Sequence, residues 1–334
     1  MVTEKTYRFS LDKSSRKLKC PHCGQKTYVP YMDNETGAIL SDEVGRCDRE
    51  NNCGYHHTPA QYFKDNGIES TPVEKKEIAA EPPKPIDYIS LDLVQKSMNG
   101  HEQSNFAQYV IRLFGAEVGN KLLLKYFVGR AKADQGKGNI FWRIDAKGMA
   151  RTGKIMVYHE NGKRNKEVNP VWAHNALRPF NHHLCFFGEH IIAEFPNKTI
   201  AITESEKTAI IASVFFPQYN WLATGGASDC KWREYSVFKV LENRNVILFP
   251  DFGYYNKRTE RTCYQEWKDR AETIMQRIKC NISVSRVLEN NLPESERAND
   301  YDLADLLIKT DETGIAVTDA GYPVIWDYVN KEFA

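Results

Sequence analysis

The residues of this chain best suited to chemistry are carboxylates that follow short apolar segments. Glu204 follows TIAIT, Asp251 follows NVILFP, and Asp302 lies in the acidic stretch ANDYDLADLL, which also holds Asp300 and Asp305. If the apolar segments are parallel strands, these side chains meet at the carboxyl edge of one sheet, where α/β proteins build their sites. Carboxylates that converge there suit Mg²⁺, an ion that assists phosphoryl transfer. The arrangement therefore predicts a site for Mg²⁺ or Mn²⁺ formed by Glu204, Asp251 and a carboxylate of the third stretch, Asp300, Asp302 or Asp305.

Two glutamates lie close together at the first of these strand ends, and their positions predict different roles. Glu204 ends the strand, so its side chain can point over the sheet edge towards Asp251. Glu206 lies in the first turn of the following helix, after Ser205 as a candidate N-cap. We expect Glu206 to be exposed and its negative charge to stabilise the positive N-terminal end of the helix dipole. Lys207, in the same helix, is a candidate for neutralising a phosphate.

Four of the eight cysteines form a second chemical pattern, C-x2-C-x23-C-x5-C, near the N-terminus. Two thiolates separated by two residues can hold one tetrahedral ion. A module this small has little core, so a bound Zn²⁺ would supply much of its folding energy. The predicted ligands of this structural zinc site are Cys20, Cys23, Cys47 and Cys53. The wider spacing of the second pair leaves room for His56 or His57 to replace Cys53.

The charge of the chain is balanced overall but uneven along its length. The 334 residues carry a formal net charge of +1, and 41% of them are hydrophobic, which is enough for a substantial core. Between Lys121 and Phe180, 13 Lys and Arg residues stand against 4 Asp and Glu residues, a net charge of +9. Such a segment favours contact with the phosphates of nucleic acid. The candidate phosphate contacts are Arg143, Arg151, Lys154, Lys163 and Arg164, together with Lys207 beside the acidic residues.

A pair of glycines offers a further candidate for phosphate binding. Gly225 and Gly226 follow the predicted strand NWLAT. Glycines at the end of a strand allow the backbone to approach a phosphate closely. A plain tight turn is the alternative interpretation, because glycine is also the usual residue of such turns.

The cysteines and the apolar runs also indicate the compartment. The N-terminal residues MVTEKTYRFS are polar and do not resemble a signal peptide. No apolar run approaches the length of a membrane span. The remaining four cysteines are scattered, so the pattern is that of a reduced protein with one metal site rather than a disulfide framework. We therefore expect a cytoplasmic protein with no membrane partner.

Composition divides the chain into segments. Residues 69–87, with four prolines and many charges, are predicted to be a linker. The linker separates a zinc-ribbon module of residues 1–68 from the rest. A basic α+β subdomain is expected over 88–197 and a parallel-sheet domain over 198–312. Residues 313–334 form a C-terminal tail with no informative pattern.

The apolar periodicity predicts the elements of the two larger segments. Helices are expected over 90–119, with Gly115 as a stop, and a series of hairpins in GNIFWRIDAKGMARTGKIMVYHENGKR. From Lys198 onward, TIAIT, NWLAT, NVILFPD and NISVSRVL are predicted strands. They alternate with predicted helices in SEKTAIIASVFF, KWREYSVFKVL, TCYQEWKDRAETIMQRIK and DYDLADLLIK. The predicted fold class is α/β, with a zinc ribbon, a mixed basic subdomain and a Rossmann-like parallel sheet.

The order Glu, Asp, Asp on such a sheet resembles the Toprim domain of topoisomerases, bacterial primases, phage primase-helicases and some nucleases. ITESEKTAI is similar to its first motif, VILFPDFG to its second, and DLADLL to its later acidic helix. NIFWRIDAKG, RTGKIMVY and LCFFGEH stand in the order of the corresponding primase segments, which follow a zinc ribbon. The arrangement most resembles zinc-ribbon-plus-Toprim, primase-like proteins of bacterial mobile elements and phages.

The chain departs from the Toprim pattern at two acidic positions. Gly253 replaces the second Asp of the Asp-x-Asp motif, and Thr208 stands where primases often carry an Asp. The resemblance then leaves Glu204 and Asp251 as ligands of one metal ion. Asp302 or Asp300 would assist them.

The resemblance implies three functions. The first is a primase-like nucleotidyltransferase in which the basic segment holds the template. Glu204 and Asp251 would hold Mg²⁺, although Glu204 acting as general base on the 3′-hydroxyl is an alternative. The second is a module that binds single-stranded nucleic acid without catalysis, and the third is a Toprim nuclease. The implied partners are single-stranded DNA or RNA, nucleotides and a separate helicase, in replication of a phage or mobile element.

Overall fold

The computed structural model of the chain describes residues 7–14, 16–49, 52–68, 85–226, 230–257 and 259–312. Most of the predicted linker and the whole predicted tail lie outside the described residues. The chain folds as two compact units, which are described separately. They are Met1–Pro83 with Tyr255–Arg261, and Lys84–Tyr254 with Thr262–Ala334.

The first unit contains a small antiparallel sheet. Its strands are β1 (Phe9–Leu11), β2 (Tyr28–Asp33) and β3 (Gly45–Cys47), in the order β1-β2-β3. Helix α1 (Pro59–Asp65) follows and begins at Thr58, whose hydroxyl accepts the N–H of Gln61. The buried apolar cluster of this unit is small and consists of Cys20, Tyr28, Cys47 and Cys53, as expected of a zinc ribbon.

The second unit begins with two helices. Helix α2 (Leu91–Met98) and helix α3 (Asn105–Lys125) flank a short 3₁₀ turn, His101–Gln103. The predicted stop at Gly115 is a sharp bend, because Gly115 has a φ of 79° and helical structure resumes beyond it. Glycine adopts this left-handed conformation without the penalty that a Cβ would bring.

An antiparallel sheet follows these helices. Its strands are β4 (Val128–Ala131), β5 (Gly138–Ile144), β6 (Ala150–Met156) and β7 (Val171–Trp172), in sequence order, with a four-residue turn α4 (Ala133–Gly136) after β4. Asp145 closes the predicted turn between β5 and β6, where its carboxylate accepts the N–H groups of Lys147 and Met149 at 2.9 and 3.0 Å. Such carboxylate–backbone bonds are typical of Asp in turns. The predicted hairpin is therefore confirmed.

The C-terminal part of the unit is an alternating α/β arrangement, as the sequence predicts. After a short helix α5 (Ile191–Glu194) come β8 (Ile200–Thr203), α6 (Glu206–Phe215), β9 (Asn220–Ala223), α7 (Tyr235–Phe238) and β10 (Asn245–Phe249). Two short strands, β11 (Tyr254–Asn256) and β12 (Arg261–Thr262), pair with each other, and most of their residues fall in the segment Tyr255–Arg261, which belongs to the first unit. The second unit continues with α8 (Cys263–Met275) and β13 (Asn281–Val284). Four of these strands form one parallel sheet, in the order β13-β10-β8-β9.

Two predicted elements are shorter than the apolar pattern suggests. In KWREYSVFKVL only α7 and a 3₁₀ turn, Lys239–Leu241, are helical. The last predicted strand ends at β13, and helix α9 (Val287–Asn291) follows it. Between them the buried Ser285 hydroxyl accepts the N–H of Val287 at 3.2 Å. A 3₁₀ turn, Glu294–Asn299, and helix α10 (Leu303–Glu312) follow.

The parallel sheet is buried on both faces. Ala201 and Ile247 contribute to one apolar cluster, and their neighbours Ile200 and Val246 contribute to the other. The first cluster also includes Phe141 of β5, so the apolar core continues from the antiparallel sheet into the parallel one. Strands covered on both faces explain why these segments are continuous apolar runs. Among the described residues, no helix is both long and apolar enough to cross a membrane.

Candidate metal and nucleic-acid site

The acidic residues Glu204 and Asp251 lie at the ends of neighbouring parallel strands. Thr203 of β8 is in register with Phe249 of β10, and Glu204 and Asp251 follow within two residues. The strand order places β9 on one side of β8 and β10 on the other. The crevice at the carboxyl ends of β8 and β10 is therefore the switch point of the sheet, where open α/β sheets bind ligands.

The charges at this edge repel one another. Burial, and after it the carboxylates of Glu204, Asp302 and Asp305, raises the pKa of Asp251 well above its usual value, while Lys207 opposes that rise. Both Glu204 and Asp251 are partly accessible. Mg²⁺ is commonly held by one or two carboxylates and keeps several of its waters. The pair therefore fits a divalent cation, whose charge would relieve the repulsion.

Asp302, a predicted metal ligand, is engaged in other contacts. Its Oδ1 accepts the N–H of Asp305 at 2.9 Å, and its Oδ2 accepts the Thr208 hydroxyl at 2.7 Å. Lys207 Nζ lies 3.6 Å from the same Oδ2, and Asp302 is only 8% exposed. The structure thus places Asp302 beside the acidic pair as the cap of α10 and a partner of Lys207. Thr208, which stands where primases often carry an acid, holds this carboxylate in place.

Lys207 is half-buried among these acids. Its Nζ lies 3.4 Å from Asp305 Oδ1 in addition to its contact with Asp302. Burial by itself would lower the pKa of Lys207, but Asp302 and Asp305 outweigh it and raise that pKa. The lysine therefore stays protonated and brings a fixed positive charge to the edge that carries Glu204 and Asp251.

A third acidic group approaches the place where Gly253 breaks the Asp-x-Asp pattern. A Cβ built on Gly253 would lie 2.6 Å from Asp300 Oδ1. Asp300 has a left-handed backbone, with a φ of 53°, and is exposed. Its charge, after burial and the charges of Glu204 and Asp251, contributes to the raised pKa of the Cys263 thiol. An acidic side chain from another segment thus occupies the space beside Gly253.

The structure corrects the expectation for Glu206. Instead of lying at an exposed helix end, Glu206 is 2% exposed, and its Oε1 lies 3.4 Å from the guanidinium of the fully buried Arg143. Its Oε2 lies 3.7 Å from Lys154 Nζ. Burial alone would raise the pKa of Glu206, but Lys154 and Arg143 outweigh it and the pKa is lowered. Ser205 occupies the N-cap position of α6 without a side-chain capping bond.

Arg143 and Lys154 also hold the loop that follows β9. Arg143 donates to the carbonyl of Thr224 at 2.9 Å, and Lys154 Nζ donates to the carbonyl of Gly225. Gly225 has a φ of 83° and donates its N–H to the carbonyl of Glu204 at 2.7 Å. The glycine is required here because a Cβ would collide with the Arg143 guanidinium. The two cations therefore position the backbone beside Glu204 from inside the protein.

The predicted phosphate contacts consequently divide into two groups. Arg143 and Lys154, predicted as phosphate contacts, are buried in this structure and contact Glu206 instead of lying at the surface. Arg151 is largely buried and lies 2.7 Å from Asp145. The exposed members of the predicted set are Lys163 and Arg164.

A stack of rings on the antiparallel sheet was not predicted from the sequence. His174 stacks on His182 with ring centroids 4.3 Å apart and an interplanar angle of 13°. Trp172 and Phe180 stack on His174 at 6.0 and 5.9 Å. We call these four side chains the ring stack. The segment WAHNALRPFNHH supplies all of them, so its density of aromatic and His residues was the available signal.

The cysteine site of the first unit matches its prediction. Its four sulfur atoms all lie within 4.8 Å of one another, and no other group of three or more His, Cys, Asp or Glu ligand atoms is as close within the described ranges. The members are Cys20, Cys23, Cys47 and Cys53. His56 Nε2 instead lies 3.1 Å from the Tyr31 hydroxyl, and His57 Nε2 lies 3.7 Å from Asp65. Four thiolates in this arrangement suit a structural Zn²⁺.

Two family models match parts of the chain. Residues 7–68 match a zinc beta-ribbon finger model. Residues 104–252 match a domain of unknown function (DUF6371). No curated protein matches the chain. The family comparison thus agrees with the cysteine site and gives no activity for the rest.

Several solved primase structures are similar to this chain. The primase fragment of the bacteriophage T7 primase-helicase is 15% identical, covers 88% of this chain and 94% of its own, and has a TM-score of 0.39. The E. coli primase catalytic core is 12% identical, with coverages of 69% and 87% and a TM-score of 0.37. The Aquifex aeolicus primase, with its zinc-binding and RNA polymerase domains, is 11% identical, with coverages of 90% and 77% and a TM-score of 0.37. At such low sequence identities and TM-scores, the function has to be argued from this chain's own residues.

Proposed function

We propose that the chain is a primase-like nucleotidyltransferase whose acidic site lies at the switch point of the parallel sheet. The observation that supports this proposal is the placement of Glu204 and Asp251 at adjacent, in-register strand ends, where their charges repel each other. Residues 198–312 would form a Toprim-like domain, as the motifs ITESEKTAI and VILFPDFG indicate. A phosphoryl-transfer site needs positive charge close to the reacting phosphate, and a cation between these carboxylates would supply it.

Each residue of the edge has a distinct role in this proposal. Glu204 and Asp251 hold Mg²⁺ or Mn²⁺, and the exposed Asp300 carboxylate assists from beside Gly253. When bound, the ion would stabilise the negative charge that develops on a transferring phosphoryl group. Lys207, kept protonated by Asp302 and Asp305, adds a positive charge next to the pair. Asp302 therefore acts by positioning Lys207 and α10.

The nucleic-acid substrate would be a single strand. Lys163 and Arg164 lie exposed in the basic segment and can contact backbone phosphates. The zinc ribbon, with its own aromatic residues, is a second surface for an unpaired strand. Nucleotides and a separate helicase would be further partners, and the setting would be replication of a phage or a mobile element. The compartment would be the cytoplasm.

A second candidate is a module that binds single strands without catalysis. Two observations favour it. Thr208 and Gly253 replace two acids of the motif, and both oxygens of Asp302 already accept hydrogen bonds. A fold alone does not imply activity. The two candidates share the same substrate, so only a chemical readout separates them.

The test combines template, metal ion and labelled nucleotides. The protein is incubated with a single-stranded oligonucleotide, Mg²⁺ or Mn²⁺ and labelled nucleoside triphosphates, and products are separated by size. New oligonucleotides support the primase proposal, and a shortened template supports a nuclease instead. A retained mobility shift without either product supports the binding module.

A matched pair of variants assigns the activity to the site. Glu204→Gln keeps the shape of the side chain and removes its charge, and it should abolish product formation. Glu242→Gln is the control, because Glu242 is exposed and precedes β10 at the opposite, amino edge of the sheet. Activity that survives Glu204→Gln would place the chemistry elsewhere.

A further inference from the structure

The ring stack has one buried member and one exposed member. His174 is only 9% exposed, whereas His182, which stacks on it at 4.3 Å, is exposed. Trp172 and Phe180 are partly accessible and pack around His174 with interplanar angles of 29° and 20°. The stack therefore begins inside the protein and ends with an imidazole at the surface.

The buried end of the stack is fixed by contacts on its own sheet. The buried hydroxyl of Thr152, on β6, lies 2.7 Å from His174 Nδ1. The Arg143 guanidinium lies over the Trp172 ring, 4.9 Å from its centroid. Phe180 packs against the apolar cluster that includes Ile140 and Trp142. A surface held in this way loses little conformational freedom when it binds a ligand.

Positive charge lies near both histidines, with Lys231 acting on His182 and Arg178 on His174, and Lys231 also pairs with Glu234 at 3.7 Å. Partial burial, and after it Lys231 and His183, lowers the pKa of His182. Burial, followed by His182 and Arg178, lowers the pKa of His174. Both imidazoles are therefore neutral at pH 7, and the permanent charges beside them are those of Lys231 and Arg178. A flat neutral ring with positive charge nearby is complementary to an aromatic base that carries a phosphate.

We propose that the exposed ring of His182 is a stacking platform for an unpaired base of single-stranded DNA. The adjacent phosphate would lie towards Lys231 and Arg178. Base–aromatic stacking tolerates any base, since every base has a π-face. The platform would thus hold a strand without reading its sequence. The choice of DNA rests on the proposed function, in which the bound strand is the template.

The experiment measures binding of a fluorescently labelled, mixed-sequence single-stranded oligodeoxynucleotide to the full chain by anisotropy, without added Mg²⁺. His182→Ala should weaken binding about 5- to 150-fold, the effect expected for the loss of one stacked base. His182→Tyr keeps a flat ring and should bind within about threefold of wild type. Phe195→Ala, at another exposed ring of the same unit in the segment before β8, is the matched control and should bind like wild type.

Three results would overturn the proposal. The first is His182→Ala binding as tightly as wild type. The second is His182→Tyr binding as weakly as His182→Ala, which would show that a flat ring is not what matters. The third is that the wild-type chain binds the matching oligoribonucleotide and does not bind the oligodeoxynucleotide. A thermal melt of each variant checks that the fold is intact, and His182→Tyr gives a second reading if His182→Ala is unstable.

Failure of this inference can be told from failure of the proposed function. If His182→Ala loses binding but wild type makes no product, the platform stands and the enzyme proposal falls. If His182→Ala binds normally while Glu204→Gln abolishes product, the enzyme proposal stands and the platform falls.

Discussion

The guanidinium of Arg143 and the carboxylate of Glu206 form an ion pair at 3.4 Å in which both side chains are buried. The two residues are 63 positions apart, one on β5 and the other at the start of α6. Lys154 contacts the same carboxylate from β6. Buried charges of this kind are costly unless they are paired, so each member depends on the others. The pair therefore joins the antiparallel sheet to the parallel one.

Glu206→Gln should destabilise the second unit strongly. The substitution leaves Arg143 and Lys154 buried without a compensating charge, and removing one partner of a buried pair typically costs about 3–5 kcal/mol. Urea unfolding followed by circular dichroism measures the loss. The control Glu242→Gln, at an exposed site, should stay within about 0.5 kcal/mol of wild type. An unchanged midpoint for Glu206→Gln would show that the pair contributes nothing net.

Glu204→Gln should leave stability unchanged or slightly raised and should weaken metal binding. It removes a charge that raises the pKa of Asp251, so the free energy of unfolding should be unchanged or slightly higher at neutral pH. Binding of Mg²⁺ or Mn²⁺ should weaken, because one of the two proposed carboxylate ligands is lost. Isothermal titration with Mn²⁺ measures that loss. If Glu204→Gln binds the ion as wild type does while Glu206→Gln does not, the site is built around the other glutamate.

Restoring the missing motif acid at Gly253 should not help. A side chain there meets Asp300, whose Oδ1 would lie 2.6 Å from the new Cβ. Asp300 Oδ1 is the end of an exposed side chain and can move away from the new Cβ, so we expect Gly253→Asp to lose stability mainly through repulsion between the two carboxylates, about 1 kcal/mol for like charges in a solvated setting. Gly253→Asp combined with Asp300→Gly should recover the stability, since glycine tolerates the left-handed backbone of residue 300. A double variant that is no more stable than the single one contradicts the predicted repulsion between residues 253 and 300.

The first unit should depend on its metal ion. Elemental analysis of the purified protein should give about one zinc ion per chain, and Cys20→Ser with Cys23→Ser should abolish it. Cys280→Ser is the control, because Cys280 lies outside the cysteine site. Chelation should unfold the ribbon, detected as new protease cleavage within residues 16–49. A wild-type chain that resists cleavage after complete metal removal would rule out the structural role.

The exposed and the buried cations of the basic segment should behave differently. Lys163→Ala with Arg164→Ala should reduce the salt dependence of single-strand binding, with a log–log slope smaller by about 0.7 per lost phosphate contact. Lys239→Ala with Lys268→Ala removes two exposed charges outside the segment and should leave the slope unchanged. Anisotropy titrations at several salt concentrations give the slopes. Equal slopes for the two double variants would move the binding surface away from Lys163 and Arg164.

Much of the fold follows from local features of the sequence. Continuous apolar runs such as NVILFP predict buried parallel strands, because a strand covered on both faces has no polar side. The pair spacing of the cysteines predicts the zinc site, because thiolates two residues apart are brought together by a single turn. The acid after β8 and the acid after β10 meet because both strands end at the same edge. The first two predictions need only the neighbours of each residue along the chain, whereas the third also needs the strand order, which places β8 beside β10.

The roles of the charged side chains were decided by contacts between distant segments. Arginine and glutamate are usually exposed, and only the packing of β5 against the start of α6 buries Arg143 and Glu206 together. Asp300 enters the space beside Gly253 from a different turn. The ring stack needs the chain after β7 to fold back so that His182 covers His174. The apolar periodicity of a segment indicates whether it is buried. The partner of a buried charge is decided by tertiary packing, because Coulomb interactions depend on distance in space and not on separation in sequence.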